Sequence, residues 1–226
     1  MSGGRTGQSM FEKIQEKIPV WQSECGATVA FQQDPFAVAI VTPVMKHADF
    51  ASNICFVDST ASCDANNHVL TFFSTSTTAG ALPLGVVITD CTSTASYTAG
   101  FTSLKSIIPA QSFSGPTYPS VFLTDDSDAE RTALQSCWPN ADLKLCLFHV
   151  PQAVWHWIWA EPHVISKDDR QVLMAEFRRV VYSSTKMDAT VAYDEAPNLD
   201  TAAEYPNYQA YLGSWWQQRQ LWCLAW

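Results

Sequence analysis

Val121-Phe122-Leu123-Thr124-Asp125-Asp126-Ser127-Asp128-Ala129-Glu130 is the stretch whose reading decides the fold. A short apolar, β-prone run ends abruptly in clustered carboxylates and gives way to good helix formers, which spells strand, turn, helix. Ser127 and Glu130 have the spacing of a capping box, so a helix is expected from Ala129, with Leu134, Cys137 and Trp138 on one face until Pro139 stops it. Asp125 then stands at the C-terminal tip of a buried strand. Open α/β sheets place their chemistry there, because side chains leaving the strand tips project into a crevice. Ile54-Cys55-Phe56-Val57-Asp58-Ser59-Thr60 has the same form. Two strand-end aspartates facing each other would make a divalent-metal site.

Outward from these two segments, strands are expected at Ile54 to Ser59, Val69 to Ser74 and Leu84 to Thr89. The links between them are short and rich in Ser, Asn, Ala and Gly, which suits an antiparallel meander. Tyr97, Phe101, Leu104, Ile107 and Ile108 recur at helical spacing, and Pro109 closes that helix. After the Val121 strand and its helix, Leu143 to Phe148 reads as a further strand, so this half is parallel. The sum is an α/β chain whose mixed sheet has three antiparallel strands followed by parallel βαβ units.

Toward the N-terminus, residues 1 to 9 are small and polar and are expected to fray. Phe11, Ile14 and Ile18 mark a helix broken at Pro19. Asp34 and Pro35 read as an N-cap and first helical position, with Phe36, Ile40, Val41 and Val44 as one face despite Pro43. From Pro151 onward the pattern is helical throughout: Ser166 with Asp169 resembles a cap, and Leu173, Phe177, Val180 and Val181 form a stripe. The last segment, Tyr205 to Trp226, reads as a helix interrupted by Gly213 and ending on bare tryptophans that need something to pack against. The expected organisation is an N-terminal tail and short helix over 1–33, a core over 34–160 and an all-helical extension over 161–226.

The 226 residues suffice for a full core, and 47% hydrophobic with 12% aromatic content marks a globular chain. No apolar run is long enough to cross a bilayer and no signal peptide is visible, so an intracellular address is expected. Seven scattered cysteines, an odd number mostly set in apolar runs, point to reduced, buried thiols. The net charge of −9 lacks the electrostatic footprint of a self-sufficient DNA-binding domain.

Four motifs occur in order: Phe56-Val57-Asp58-Ser59-Thr60-Ala61-Ser62-Cys63-Asp64, the Gly80-Ala81-Leu82-Pro83-Leu84-Gly85 turn, Thr124-Asp125-Asp126-Ser127-Asp128-Ala129-Glu130, and Cys146-Leu147-Phe148-His149-Val150. Together they resemble the catalytic region of Mutator-like element (MULE) transposases, of the metazoan transposon-derived type, from about Asp34 to the end. The resemblance implies an RNase H-like fold with a DDE set of two aspartates and a glutamate holding two Mg²⁺ or Mn²⁺ ions. Asp58 matches the first aspartate and Asp125 the second, and these are the catalytic and metal-binding candidates. Cys146 and His149 match the family's Cys-x-x-His signature. Trp215 to Trp222 looks like the Trp-rich helix that precedes the glutamate segment, and that segment is missing from this sequence. Glu176, Glu195 and Glu204 are the internal carboxylates available, none of them in the matching motif. The resemblance further implies DNA as partner, a nuclear location and a possible homo-oligomer, with no membrane.

The residues leave alternatives open. Asp126, Asp128 and Asp64 suit turns or a helix N-terminus better than a metal. Cys146 and His149 are half a zinc site at most, or else structural or site-lining groups. Of Trp155, Trp157 and Trp159, at least one ring must leave the core face, for domain contact or for base stacking. The leading functional expectation is a MULE transposase core, truncated or domesticated and impaired by its missing third carboxylate. The alternatives are a non-catalytic interaction or dimerisation module and an unrelated metal-dependent nuclease.

Overall fold

The computed structural model describes residues 7–46, 53–62, 64–78, 80–110, 112–113 and 118–226. The chain divides into two compact units, Met1–Leu143 and Lys144–Trp226. Of the residues expected to fray, 1–6 lie outside the described ones, and Gly7 already opens the first helix.

The first unit is built on a mixed sheet. Its strands are β1 (Thr28–Gln32), β2 (Ala37–Val41), β3 (Ile54–Thr60), β4 (Val69–Thr77), β5 (Gly80–Thr89), β6 (Val121–Thr124) and β7 (Asp142–Leu145), in the spatial order β1-β2-β5-β4-β3-β6-β7. Pairing from β1 to β3 is antiparallel, and β6 runs parallel to β3. The expected meander of three strands is therefore present, with two more antiparallel strands added at its edge. The Gly80–Gly85 stretch, read as a turn, begins β5: Ser74 pairs with Pro83 and Phe73 with Gly85 across a bulge.

The helix expected from Asp34 does not form. Phe36 to Val41 is apolar at every position, with no polar face for a surface helix, and it is buried as a strand between β1 and β5. Asp34 and Pro35 lie in the turn joining β1 to β2, and Pro43 starts the short helix α2 (Pro43–Lys46). The first helix, α1 (Gly7–Cys25), also runs on through Pro19. Half-buried Phe11, Ile14, Ile18 and Trp21 keep one stripe across that position while Pro19 faces solvent, so packing outweighs the lost backbone hydrogen bond. Phe11 stacks on Phe36 at 5.7 Å.

Helices α3 (Thr94–Ile107) and α4 (Asp128–Cys137) pack on each other, and α3 lies on β1, β2 and β5. Ser93 caps α3 by accepting from the Ser96 N–H at 3.2 Å. Gly100 lets α3 approach the sheet, since a β-carbon there would collide with Val87. Phe73, Phe101, Phe122 and Trp138 meet edge-on or tilted at 5.2–6.3 Å, and all four are buried.

The second unit carries α5 (His149–Trp159), α6 (Lys167–Val181), α7 (Lys186–Glu195), α8 (Asp200–Ala203) and α9 (Pro206–Gln217), with single 3-10 turns at Glu161–His163, Ala196–Asn198 and Arg219–Leu221. The strand expected to reach Phe148 stops at Leu145, because Cys146 already accepts the first bonds of α5. Ser166 and Thr185 cap α6 and α7 by accepting the N–H groups of Asp169 and Asp188. Gly213 does not interrupt α9, which runs to Gln217.

The C-terminal tryptophans are not bare. Trp215 and Trp222 are buried, Trp222 donates its indole N–H to the Trp215 carbonyl at 3.0 Å and stacks on Phe177 at 5.4 Å, and the Leu224 N–H bonds the Val181 carbonyl. Trp157 lies flat on Tyr211 at 4.4 Å, whereas Trp155 and Trp159 are both largely exposed, so two rings of the three leave the core face.

Candidate functional site

Alternation along β3 buries Cys55 and Val57 and leaves Ile54, Phe56 and Asp58 on the opposite, exposed face. On β6, Phe122 and Thr124 are buried while Leu123 and the following Asp125 are half-buried. The parallel register Ile54↔Val121, Cys55↔Phe122, Phe56↔Leu123 ends there, and each aspartate follows its last paired residue by two positions. Asp58 and Asp125 therefore leave neighbouring strands at one level and on one face. Their carboxylate oxygens come within 4.8 Å of each other.

Behind this pair, on the other face, lies a carboxyl that the sequence reading assigned to helix capping alone. Ser127 does cap α4, accepting from the Glu130 N–H at 3.3 Å. The Glu130 side chain, however, is 1% exposed and turns inward. One of its oxygens accepts from the Ser59 hydroxyl at 2.6 Å and the other from the Thr124 hydroxyl. Ser59 is joined in turn to Thr71 at 2.8 Å. Burial pushes the Glu130 carboxyl above the usual range; the two hydroxyl donors oppose that shift, and the charges of Asp125 and Asp58 add to it. Burial likewise raises the Tyr97 hydroxyl, which bonds to Ser59. The only sign of Glu130 in the sequence was its spacing from Ser127.

The remaining acids near the two aspartates are engaged elsewhere. Asp126 and Asp128 both pair with Arg131. Asp64 accepts the N–H groups of Asn66 and His68 and meets the His68 ring at 2.6 Å, an arrangement that closes the connection from β3 to β4. These are turn and helix-start carboxylates, as their positions suggested.

Within the second unit, Cys146 leads into α5 and His149 is its first residue: the Cys146 carbonyl accepts from the N–H groups of His149 and Val150 at 3.0 and 3.1 Å. Cys146 is a free, half-buried thiol, and among the described residues no cluster of three metal-capable side chains contains it. Glu176 and Glu195 both pair with Arg179, and Glu204 is exposed.

Residues 54–153 match the MULE transposase domain. The matched stretch starts with β3, includes β4 to β7, α3 and α4, and takes in Asp58, Asp125, Glu130, Cys146 and His149. It leaves out β1 and β2. No curated protein matches the chain. Among the described residues no helix is long and apolar enough to cross a membrane.

Proposed function

We propose that the chain is the catalytic core of a MULE-type transposase, which cuts and rejoins DNA phosphodiester bonds at a divalent-cation site made by Asp58 and Asp125. The observation that carries this reading is the approach of their carboxylate oxygens to within 4.8 Å just beyond the last paired residues of the parallel β3–β6 ladder. Hard oxygen donors suit Mg²⁺ or Mn²⁺. When bound, such ions lower the pKa of a nucleophilic water and neutralise the departing 3′ oxygen. Asp58, exposed, is the ligand that solvent and a DNA strand can reach; Asp125, half-buried at its strand tip, fixes the position of the pair.

A two-metal site needs a further carboxylate. Glu176 and Glu195 are committed to Arg179, and Glu130 to two hydroxyls on the far face of the sheet. The 226-residue chain is accordingly expected to hold one ion well, a second weakly, and to cleave DNA slowly or not at all. Its partner is DNA and its setting the nucleus. With a net charge of −9, recognition of transposon ends is assigned to a separate basic domain.

A second reading, a non-catalytic interaction module, is favoured by a groove of about 970 Å³ in the second unit, lined by exposed Phe148, Trp155 and Tyr182. A Mn²⁺ titration followed by thermal unfolding separates the two. A cation at one hundred times its Kd stabilises the folded state by about 2.7 kcal/mol, and Asp58→Asn abolishes that gain if the site is the one named. Equal or absent shifts in both proteins favour the module.

A further inference from the structure

The Glu130 carboxylate lies at the one place where the two aspartate-bearing strands lose their ladder. Backbone pairing of β3 with β6 ends at Phe56↔Leu123, so Asp58 and Asp125 both lie beyond it. The residue after Asp58 is Ser59 and the residue before Asp125 is Thr124. Those two hydroxyls are the groups that Glu130 bridges. Because side chains alternate along a strand, the bridge sits on the face opposite the aspartates and cannot itself face a cation bound between them. What it can do is fix the separation of the two strand ends.

We propose that Glu130 is the positioning residue of the Asp58–Asp125 pair, clamping β3 to β6 through Ser59 and Thr124 so that the two carboxylates stand at cation-binding distance. The inference rests on the metal-site reading above and adds to it how the site is held. Its physical basis is the buried setting: a carboxyl hydrogen-bonded to two hydroxyls away from water makes a stiff link, and losing it removes the one bridge between Ser59 and Thr124. Tyr97 and Thr71, both bonded to Ser59, anchor the β3 side of the clamp. The Ser127 cap fixes the start of α4 and with it the position of Glu130. Gln has the same shape as Glu and can accept from one hydroxyl while donating to the other, so the clamp predicts that Gln substitutes and Ala does not.

The test is Mn²⁺ binding by calorimetry to the full 226-residue chain at a temperature well below unfolding. Glu130→Ala is expected to weaken binding about tenfold or more, the scale seen when groups that orient metal ligands are removed, with Glu130→Gln close to wild type. A purely structural role lowers the unfolding temperature of the metal-free Ala variant and leaves its Kd unchanged; that result overturns the proposal, as does a Gln variant as weak as the Ala variant. If Glu130→Ala does not fold, Ser59→Ala and Thr124→Val each remove one end of the clamp and are expected to weaken binding by a smaller factor, and wild-type affinity in both overturns the proposal. Absence of any Mn²⁺ binding sensitive to Asp58→Asn in the wild-type chain is a different pattern: it overturns the metal-site reading and this inference with it.

Discussion

The Glu130 carboxylate meets the Ser59 hydroxyl at 2.6 Å, while the Ser127 N–H that a capping box would offer it bonds the Asp125 carbonyl at 2.9 Å. Its ionised form is thus placed inside the protein. Burial, reinforced by Asp125 and Asp58, raises its pKa, so the folded chain holds this proton at pH values where the unfolded chain, with a glutamate near about 4.3, has released it. The stability it contributes is full below that unfolded value and is lost as pH rises through the folded one. Glu130→Gln cannot ionise, and its melting temperature relative to wild type is expected to rise as pH climbs above the unfolded glutamate value. A difference that stays constant over that range contradicts the assignment.

Gly100 lies in the middle of α3, where Ala would ordinarily favour the helix by about 1 kcal/mol. Here the added methyl meets Val87 and Thr89 of β5. Overpacking of this kind costs about 1–3 kcal/mol, so Gly100→Ala is expected to lower stability in denaturant unfolding despite its better propensity.

Trp222 and Trp155 give opposite expectations. Trp222→Ala empties a site ringed by Phe177 and Trp215 and is expected to cost about 3–5 kcal/mol. Trp155 is 37% exposed, and Trp155→Ala is expected to be far milder, at about 1 kcal/mol or less. Urea titration of the two variants measures both.

Without a cation, Asp58 and Asp125 repel each other. Asp58→Asn is therefore expected to leave the metal-free protein as stable as wild type or more so, by about 1 kcal/mol at most because Asp58 is exposed. The same substitution removes stabilisation by Mn²⁺, so the order of the two melting curves reverses as metal is added.

Much of the fold could be read from local signals. The strand and helix around Asp125, the β3 to β5 meander and the α3 stripe are each set by alternation or by 3.6-residue spacing, and each is present. What escaped was decided by neighbours distant in sequence. Phe36, Ile40, Val41 and Val44 have helical spacing, but β1 and β5 cover both edges of that segment and make it a strand. Pro19 has the local mark of a stop, yet the half-buried stripe from Phe11 to Trp21 continues across it. The tryptophans near the C-terminus looked unpartnered because their partners, Phe177 and Val181, belong to another helix. In the candidate site, Asp58 and Asp125 announce themselves by standing at the ends of apolar runs. Glu130 does not: one pattern, Ser-x-x-Glu, fits both a carboxyl turned back to its own helix and one sent across to the neighbouring strand, and only the packing of α4 on the sheet separates the two.

The turn from Asp125 to Glu130 has a consequence for how this sequence can drift. Asp126 and Asp128 are tied only to Arg131 at the surface, so their identities can vary at little expense. Its length cannot vary in the same way. One residue inserted or deleted between Thr124 and Glu130 rotates the start of α4 by about 100° and swings the carboxyl off Ser59. Descendants of this chain should accumulate substitutions at Asp126 and Asp128 while tolerating neither gain nor loss of a single codon in the turn that holds them.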